Sequence, residues 1–223
     1  MKQTLFITGT DTGVGKTVLT ALLTRFLLER GVSAAALKPL CSGGRDDARA
    51  LHAAMNGALT LDEINPWHFR AAIAPLLAAR REKRGVKLSQ VRAHLRALQK
   101  RFDVLLVEGA GGLLSPLGEK FDSRDLITAL RATPVIVAPN QLGVANHILL
   151  TLEALPPAAA KLTRIVLMSP PQPDAASKTN RNLLAGFFDA ARIFSLPWLG
   201  KNFTAARALK NPQVKQILGA LVK

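Results

Sequence analysis

The 223-residue chain is 48% hydrophobic, enough to bury one substantial core, and its length suits a single α/β domain over 1–223 better than two. Its one cysteine, Cys41, excludes an intrachain disulfide framework and fits a reducing cytoplasm, and no run approaches the roughly 18 apolar residues of a membrane span, so a cytoplasmic location and no membrane partner are expected. The excess of 30 basic over 15 acidic side chains, a net charge of +15, raises nucleic acid as a partner class.

The first predicted element is a strand over Thr4–Thr8, followed by Gly9-Thr10-Asp11-Thr12-Gly13-Val14-Gly15-Lys16-Thr17 and an amphipathic helix over Val18–Arg30. A strand, a loop with glycines and a helix in that order read as a phosphate loop. Gly13 and Gly15 let backbone N–H groups converge on phosphate oxygens, and the helix start adds its unpaired N–H groups and the positive end of its dipole. Lys16 can reach the terminal phosphates and the Thr17 hydroxyl can ligate Mg²⁺, so a nucleoside triphosphate is the expected ligand. Thr10 stands where the usual pattern has Gly, with Gly9 one place earlier, so the loop is a variant.

Ala34–Lys38 is predicted as the second strand, stopped by Pro39, and brings a second cation, Lys38, to the same rim ahead of Ser42. Asp46 and Asp47 then open a helix, Asp46 reading as its N-cap, and one of the two offers a carboxylate to a metal. Residues 57–87, punctuated by Pro66, Pro75 and Gly85, read as an irregular insertion with short helices. Across 70–101 ten Lys and Arg side chains face Glu82 alone. Leu88, Val91, Leu95 and Leu98 nevertheless recur at helical spacing there and leave Arg92, Arg96 and Lys100 on the solvated face. No aromatic residue is interleaved for base stacking, so specific nucleic-acid binding is not expected.

Asp103–Val107 is the third predicted strand, ending at Glu108, whose carboxylate suits a metal bound to phosphates; Gly109-Ala110-Gly111-Gly112 lets backbone close on a ligand. Pro134–Ala138 and Arg164–Met168 are further strands, and Leu142–His147 opens the helix after the first of them. Near-continuous apolar strands alternating with helices predict an α/β, P-loop NTPase-like fold, a mostly parallel sheet with helices on both faces. Ligands should gather at the C-terminal ends of the strands. Cys41 reads as a space-filler beside the site, and His52, His68 and His94 as surface or packing residues.

Five motifs now stand in order: Gly9–Thr17, Lys38–Gly43, Val107–Gly112, Leu142–His147 and Pro197-Trp198-Leu199. Together they resemble those of the dethiobiotin synthases across most of the chain. The resemblance implies ATP-dependent ring closure of diaminopelargonate with CO₂ or bicarbonate, giving dethiobiotin, ADP and phosphate, in a homodimer with Mg²⁺ on Thr17, Asp47 and Glu108. It implies catalytic roles for Lys16 and Lys38. Nucleotide contacts would come from Thr12, Gly13, Val14, Gly15, Lys16, Thr17, Glu108, Gly109, Ala110, Gly111, Ser169 and Pro197. Substrate contacts would come from Thr12, Lys38, Ser42, Leu142, Gly143 and Asn146, with the helix start at Leu142 acting across the dimer interface.

The chain departs from that pattern in three places, one of them a short loop between Ser42 and Asp47. Ser169-Pro170-Pro171 replaces an Asn-led turn that reads adenine, and Ala74-Pro75-Leu76-Leu77-Ala78-Ala79 lacks the Ser and His of the family's Ser-Pro-His-x-Ala-Ala segment. The alternative enzyme reading is a related phosphate-loop ATPase of the partitioning or metal-cluster maturation class, but those proteins carry a lysine early in the loop where this chain has Asp11. A non-enzymatic alternative is a basic nucleotide-binding module that works through nucleic-acid contact.

Overall fold

Six apolar segments, each of which would leave two hydrophobic faces in water, lie side by side in the computed structural model, which describes residues 2–223. In chain order the strands are β1 (Gln3–Gly9), β2 (Ala34–Leu37), β3 (Leu40–Ser42), β4 (Trp67–Phe69), β5 (Val104–Glu108), β6 (Thr133–Pro139), β7 (Arg164–Met168) and β8 (Ile193–Leu196). The main sheet runs β2-β5-β1-β6-β7-β8 with every pair parallel, and β3 pairs with β4 in a separate two-stranded ribbon. The helices are α1 (Lys16–Glu29), α2 (Asp46–Ala54), α3 (Leu61–Ile64), α4 (Pro75–Arg81), α5 (Leu88–Gln99), α6 (Ser123–Leu130), α7 (Val144–Glu153), α8 (Pro157–Ala160), α9 (Ala175–Ala185), α10 (Ala205–Ala208) and α11 (Pro212–Leu221).

Right-handed crossovers decide which face each helix covers. The β1-to-β2 connection steps across the sheet in one direction, and the connections through β5, β6, β7 and β8 step in the other. Accordingly α1 packs with α10 and α11, whereas α5 packs with α6 and α7 with α9; α2, beside the edge strand β2, also touches α1. The helices after the neighbouring strands β1 and β5 thus leave on opposite faces, which opens a crevice at their C-terminal ends, where such sheets bind ligands. Register brings Ile7 beside Glu108, so the phosphate loop after β1 and the carboxylate at the end of β5 face one another across it.

The core is the two covered faces of the sheet, with Leu5, Phe6, Ile7, Leu106, Val107, Ile136, Val137 and Val166 fully buried. Thr20 and Thr24 are buried on α1 without penalty because each hydroxyl donates to the carbonyl four residues earlier, at 2.8 and 2.7 Å. The amphipathic reading of α5 holds: Val91, Leu95 and Leu98 are buried, and Arg92, Arg96 and Lys100 are exposed.

Four local expectations need correction. Helix α1 starts at Lys16, two residues before the predicted Val18, because Gly15 takes the N-cap position. Asp46 is not the N-cap of α2. That place belongs to Arg45, and Asp46 lies inside the first turn, paired at 2.8 Å with Arg49. The insertion over 57–87 contains strand β4, which pairs with β3 next to Lys38. The sheet also has a sixth strand, β8, that the sequence reading did not include.

Candidate active site

Gly13 and Gly15 adopt φ of 75° and 99°, a region side-chain-bearing residues rarely enter. A Cβ on Gly15 would also come within 3.0 Å of Met168 Cε. The loop closes on itself through Asp11, whose carboxylate accepts from the Thr12 N–H at 2.6 Å and whose carbonyl accepts from Lys16 Nζ at 2.7 Å. Burial, and then the neighbouring Lys38 ammonium, push the Lys16 pKa down to about 8.

Lys38, at the end of β2, is buried with its ammonium between two carboxylates, 2.7 Å from Glu108 Oε1 and 2.8 Å from Asp47 Oδ2. Burial works against its charge, but Glu108 and Asp47 outweigh it and hold the Lys38 pKa above the ordinary lysine range. Burial likewise opposes ionisation of Asp47, and the charge and hydrogen bond of Lys38 overcome it and hold that carboxyl below its usual value. Thr17 donates to Glu108 Oε1 at 2.7 Å, while Glu108 Oε2 is buried with no partner among the described residues. Of the two candidate aspartates, Asp47 therefore faces the site, and Asp46, with a 90% exposed side chain, does not.

These groups line one cavity of about 800 Å³. It brings together Thr12, Gly13, Gly15, Lys16, Thr17, Lys38, Ser42, Asp47, Glu108, Ala110 and Gly111, and its other wall is largely apolar, with Ala72, Ile73, Ala74, Pro75 and Pro116. Val14 points into the core, and Gly109 lies beneath the floor, where a Cβ would be 3.0 Å from Ser123 Oγ. Ser169 and Pro197 sit outside this cavity at the ends of β7 and β8, tied by a 2.9 Å bond from the Ser169 N–H to the Leu196 carbonyl. Leu142, Gly143 and Asn146 also lie outside it, on the exposed start of α7.

Two site-supporting residues had no signal in the sequence reading. Asn65 is buried; its Nδ2 donates to the Lys38 carbonyl at 2.6 Å, and its Oδ1 accepts from Cys41 Sγ at 3.1 Å and Arg45 Nε at 3.2 Å. Ser115 Oγ accepts from the Gly112 N–H at 2.9 Å and pins the glycine loop. Cys41 is buried and burial raises its pKa, in keeping with a space-filling role. His68 and His94 hydrogen-bond the Gly43 and Glu63 carbonyls at 2.7 and 2.8 Å, as packing residues do. His147 lines a second hollow, of about 460 Å³, next to Thr10 and Asp11.

The sequence profile of a family described as AAA domain matches residues 3–203. An ATP-dependent dethiobiotin synthetase BioD from Anaeromyxobacter sp. (strain Fw109-5) is 46% identical over 167 residues, 73% of this chain and 75% of its own. One from Anaeromyxobacter dehalogenans (strain 2CP-C) is 40% identical over 210 residues, 92% of this chain and 94% of its own. The chain belongs to the dethiobiotin synthetase family. Membership of that family makes the chain an ATP-dependent ligase, with ATP as its co-substrate. A solved structure of pNOB8 ParA aligns with 100% of this chain and 98% of its own at a TM-score of 0.57 and 13% identity, a likeness of fold alone. It is the sequence relatives that put this chain in the dethiobiotin synthetase family.

Among the described residues no helix is long and apolar enough to cross a membrane.

Proposed function

We propose that this site closes the ureido ring of dethiobiotin on diaminopelargonate, using CO₂ and ATP, in a cytoplasmic homodimer whose protomers each act as one domain over 1–223. The observation that carries the proposal is the pair of buried lysines in one cavity, Lys16 at the phosphate loop and Lys38 between Glu108 and Asp47. Two anions, a triphosphate and a carbamate, can meet there with a cation for each.

One substrate amine takes up CO₂ and becomes a carbamate. A carbamate oxygen attacks the γ-phosphorus, the new O–P bond forms as the bond to the β-phosphate oxygen breaks, and ADP leaves. The second amine then attacks the carbamoyl carbon, the C–O bond to phosphate breaks, and the amine proton departs with the phosphate or to solvent. Lys16 neutralises the γ-phosphate and Lys38 the carbamate as charge moves between them. Thr12 and Ser42 supply hydroxyls to the carbamate or amine, and the apolar wall of Ile73, Ala74 and Pro75 takes the methylene chain.

Thr17, Asp47 and Glu108 offer the hard oxygen donors that Mg²⁺ prefers, and the unpartnered, buried Glu108 Oε2 is a donor position left over once Oε1 is occupied. When bound, the ion would supply charge neutralisation across the phosphates. Gly13, Val14, Gly15 and Gly109 to Gly111 would present backbone to the nucleotide, with Ser169 and Pro197 towards the base. Leu142, Gly143 and Asn146, exposed at the start of α7, would receive the substrate carboxylate of the partner protomer on helix N–H groups.

Incubation with diaminopelargonate, bicarbonate, Mg²⁺ and ATP should yield a product of dethiobiotin mass together with equal amounts of ADP and phosphate. ATP turnover without that product would overturn the assignment.

A further inference from the structure

Lys16 and Lys38 are matched in the cavity by Asp47 and Glu108, so the net charge of +15 lies elsewhere, and the structure concentrates a share of it on one face. From residue 83 to residue 102 the chain carries seven Lys or Arg and no acidic residue. Arg84 and Arg101 are spent on Glu82 and Glu63. Among the described residues Lys83, Lys87, Arg92, Arg96 and Lys100 have no ion pair, and all five are exposed.

Arg92, Arg96 and Lys100 stand one above another on the outer face of α5, spaced about 6 Å apart along the helix axis. The Arg96 guanidinium reaches the Ala129 carbonyl at 3.1 Å, which joins the row to the end of α6 and to exposed Arg131. Lys2 donates to the Lys100 carbonyl and adds its charge at the same end. Asp103, exposed just beyond α5, is the acidic neighbour there. The row approaches the start of β5, whereas Glu108 and the cavity lie at that strand's other end.

We propose that the outer face of α5 binds the phosphate backbone of duplex nucleic acid without regard to sequence. The chemistry of the face selects that partner. It carries none of the exposed large apolar side chains, which lie on other segments, so it lacks the anchors of a membrane-interface helix and the aromatic centre of a protein interface. It also has no aromatic residue on which single-stranded bases could stack. What remains is a linear row of guanidinium and ammonium groups, and a duplex offers a linear row of phosphates.

The test is fluorescence anisotropy of labelled duplex DNA and duplex RNA titrated with the full chain at several salt concentrations, with anionic phosphatidylserine vesicles as a third ligand. Four phosphate contacts predict a log–log salt slope of about −3.6, a loss of roughly a hundredfold between 50 and 200 mM salt. The triple variant R92Q/R96Q/K100Q should lower the slope by about 2.7 and weaken binding at least tenfold. The variant K210Q/K215Q/K223Q removes the same charge from the other side and should stay within about twofold of wild type. Both variants should retain full dethiobiotin-forming activity, which also shows that they fold. Binding to either duplex supports the proposal, and the tighter one identifies the source. Absence of duplex binding at 50 mM salt, equal weakening by both triple variants, or vesicle binding tighter than duplex binding would overturn it.

Discussion

Lys16 holds its charge at a cost that nucleotide phosphates should remove, and replacing it by Met exposes that cost. Its pKa falls from 10.5 to about 8 through burial and the Lys38 ammonium. At about 1.4 kcal/mol per pH unit, this difference amounts to about 3 kcal/mol. Because the folded value lies below the unfolded one, the penalty is fully present at pH 7, falls as Lys16 loses its proton above pH 8, and is gone near pH 10.5. In that window the other site groups are level. Lys38 is raised, so its contribution is lost only above the ordinary lysine range, and Asp47 is lowered, so its contribution is lost only in acid. Denaturant unfolding of the nucleotide-free protein should therefore find Lys16→Met more stable than wild type by about 3 kcal/mol at pH 7, with the gap at least halved by pH 9.5. Cys41 titrates in both proteins and cancels. ATP should restore the proton, so calorimetry in buffers of different ionisation enthalpy should show uptake of about half a proton at pH 8 and close to none at pH 6.5. A stability gap that does not change with pH, or ATP binding at pH 8 without proton uptake, would show that Lys16 carries no such cost.

Glu108→Gln should keep the fold, as judged by circular dichroism, and lose about 2.7 to 4 kcal/mol of transition-state stabilisation, seen as a hundredfold or greater fall in kcat. Asn65→Ala leaves the buried Lys38 carbonyl without its donor and should cost about 1 to 3 kcal/mol in denaturant unfolding, whereas a variant within 0.5 kcal/mol of wild type would show that Asn65 only fills space. Ser169 is too short for the bidentate contact that an Asn makes with adenine, so GTP and CTP should support turnover within roughly tenfold of ATP in kcat/KM. A preference for ATP above about a hundredfold would mean that backbone at the ends of β7 and β8 reads the base.

Strands buried on both faces announce themselves by unbroken apolar runs, and Leu5 to Ile7, Leu105 to Val107 and Val135 to Ala138 were legible for that reason. Strand β8 was not, because Ile193-Phe194-Ser195-Leu196 mixes buried and half-buried positions at a sheet edge. The three-residue ribbon of β3 and β4 is too short for any period to show. The site divides in the same way. Lys16, Thr17, Lys38 and Glu108 are each read from a strand end, and parallel topology alone brings such ends to one rim. Asn65 acts across 27 positions on a backbone carbonyl, a contact that leaves no pattern in its neighbourhood. Asp46 and Asp47 were indistinguishable until the turn of α2 aimed one at Lys38 and the other at Arg49.

In the proposed reaction the cavity activates a carbamate by moving the γ-phosphoryl group onto one of its oxygens. Turnover started with freshly prepared bicarbonate carrying ¹³C and ¹⁸O, followed by mass analysis of both products, tests it directly. Dethiobiotin should carry ¹³C in its ureido carbon and the released phosphate one ¹⁸O atom, carried over when the C–O bond breaks. Labelled dethiobiotin formed alongside phosphate without ¹⁸O would contradict it.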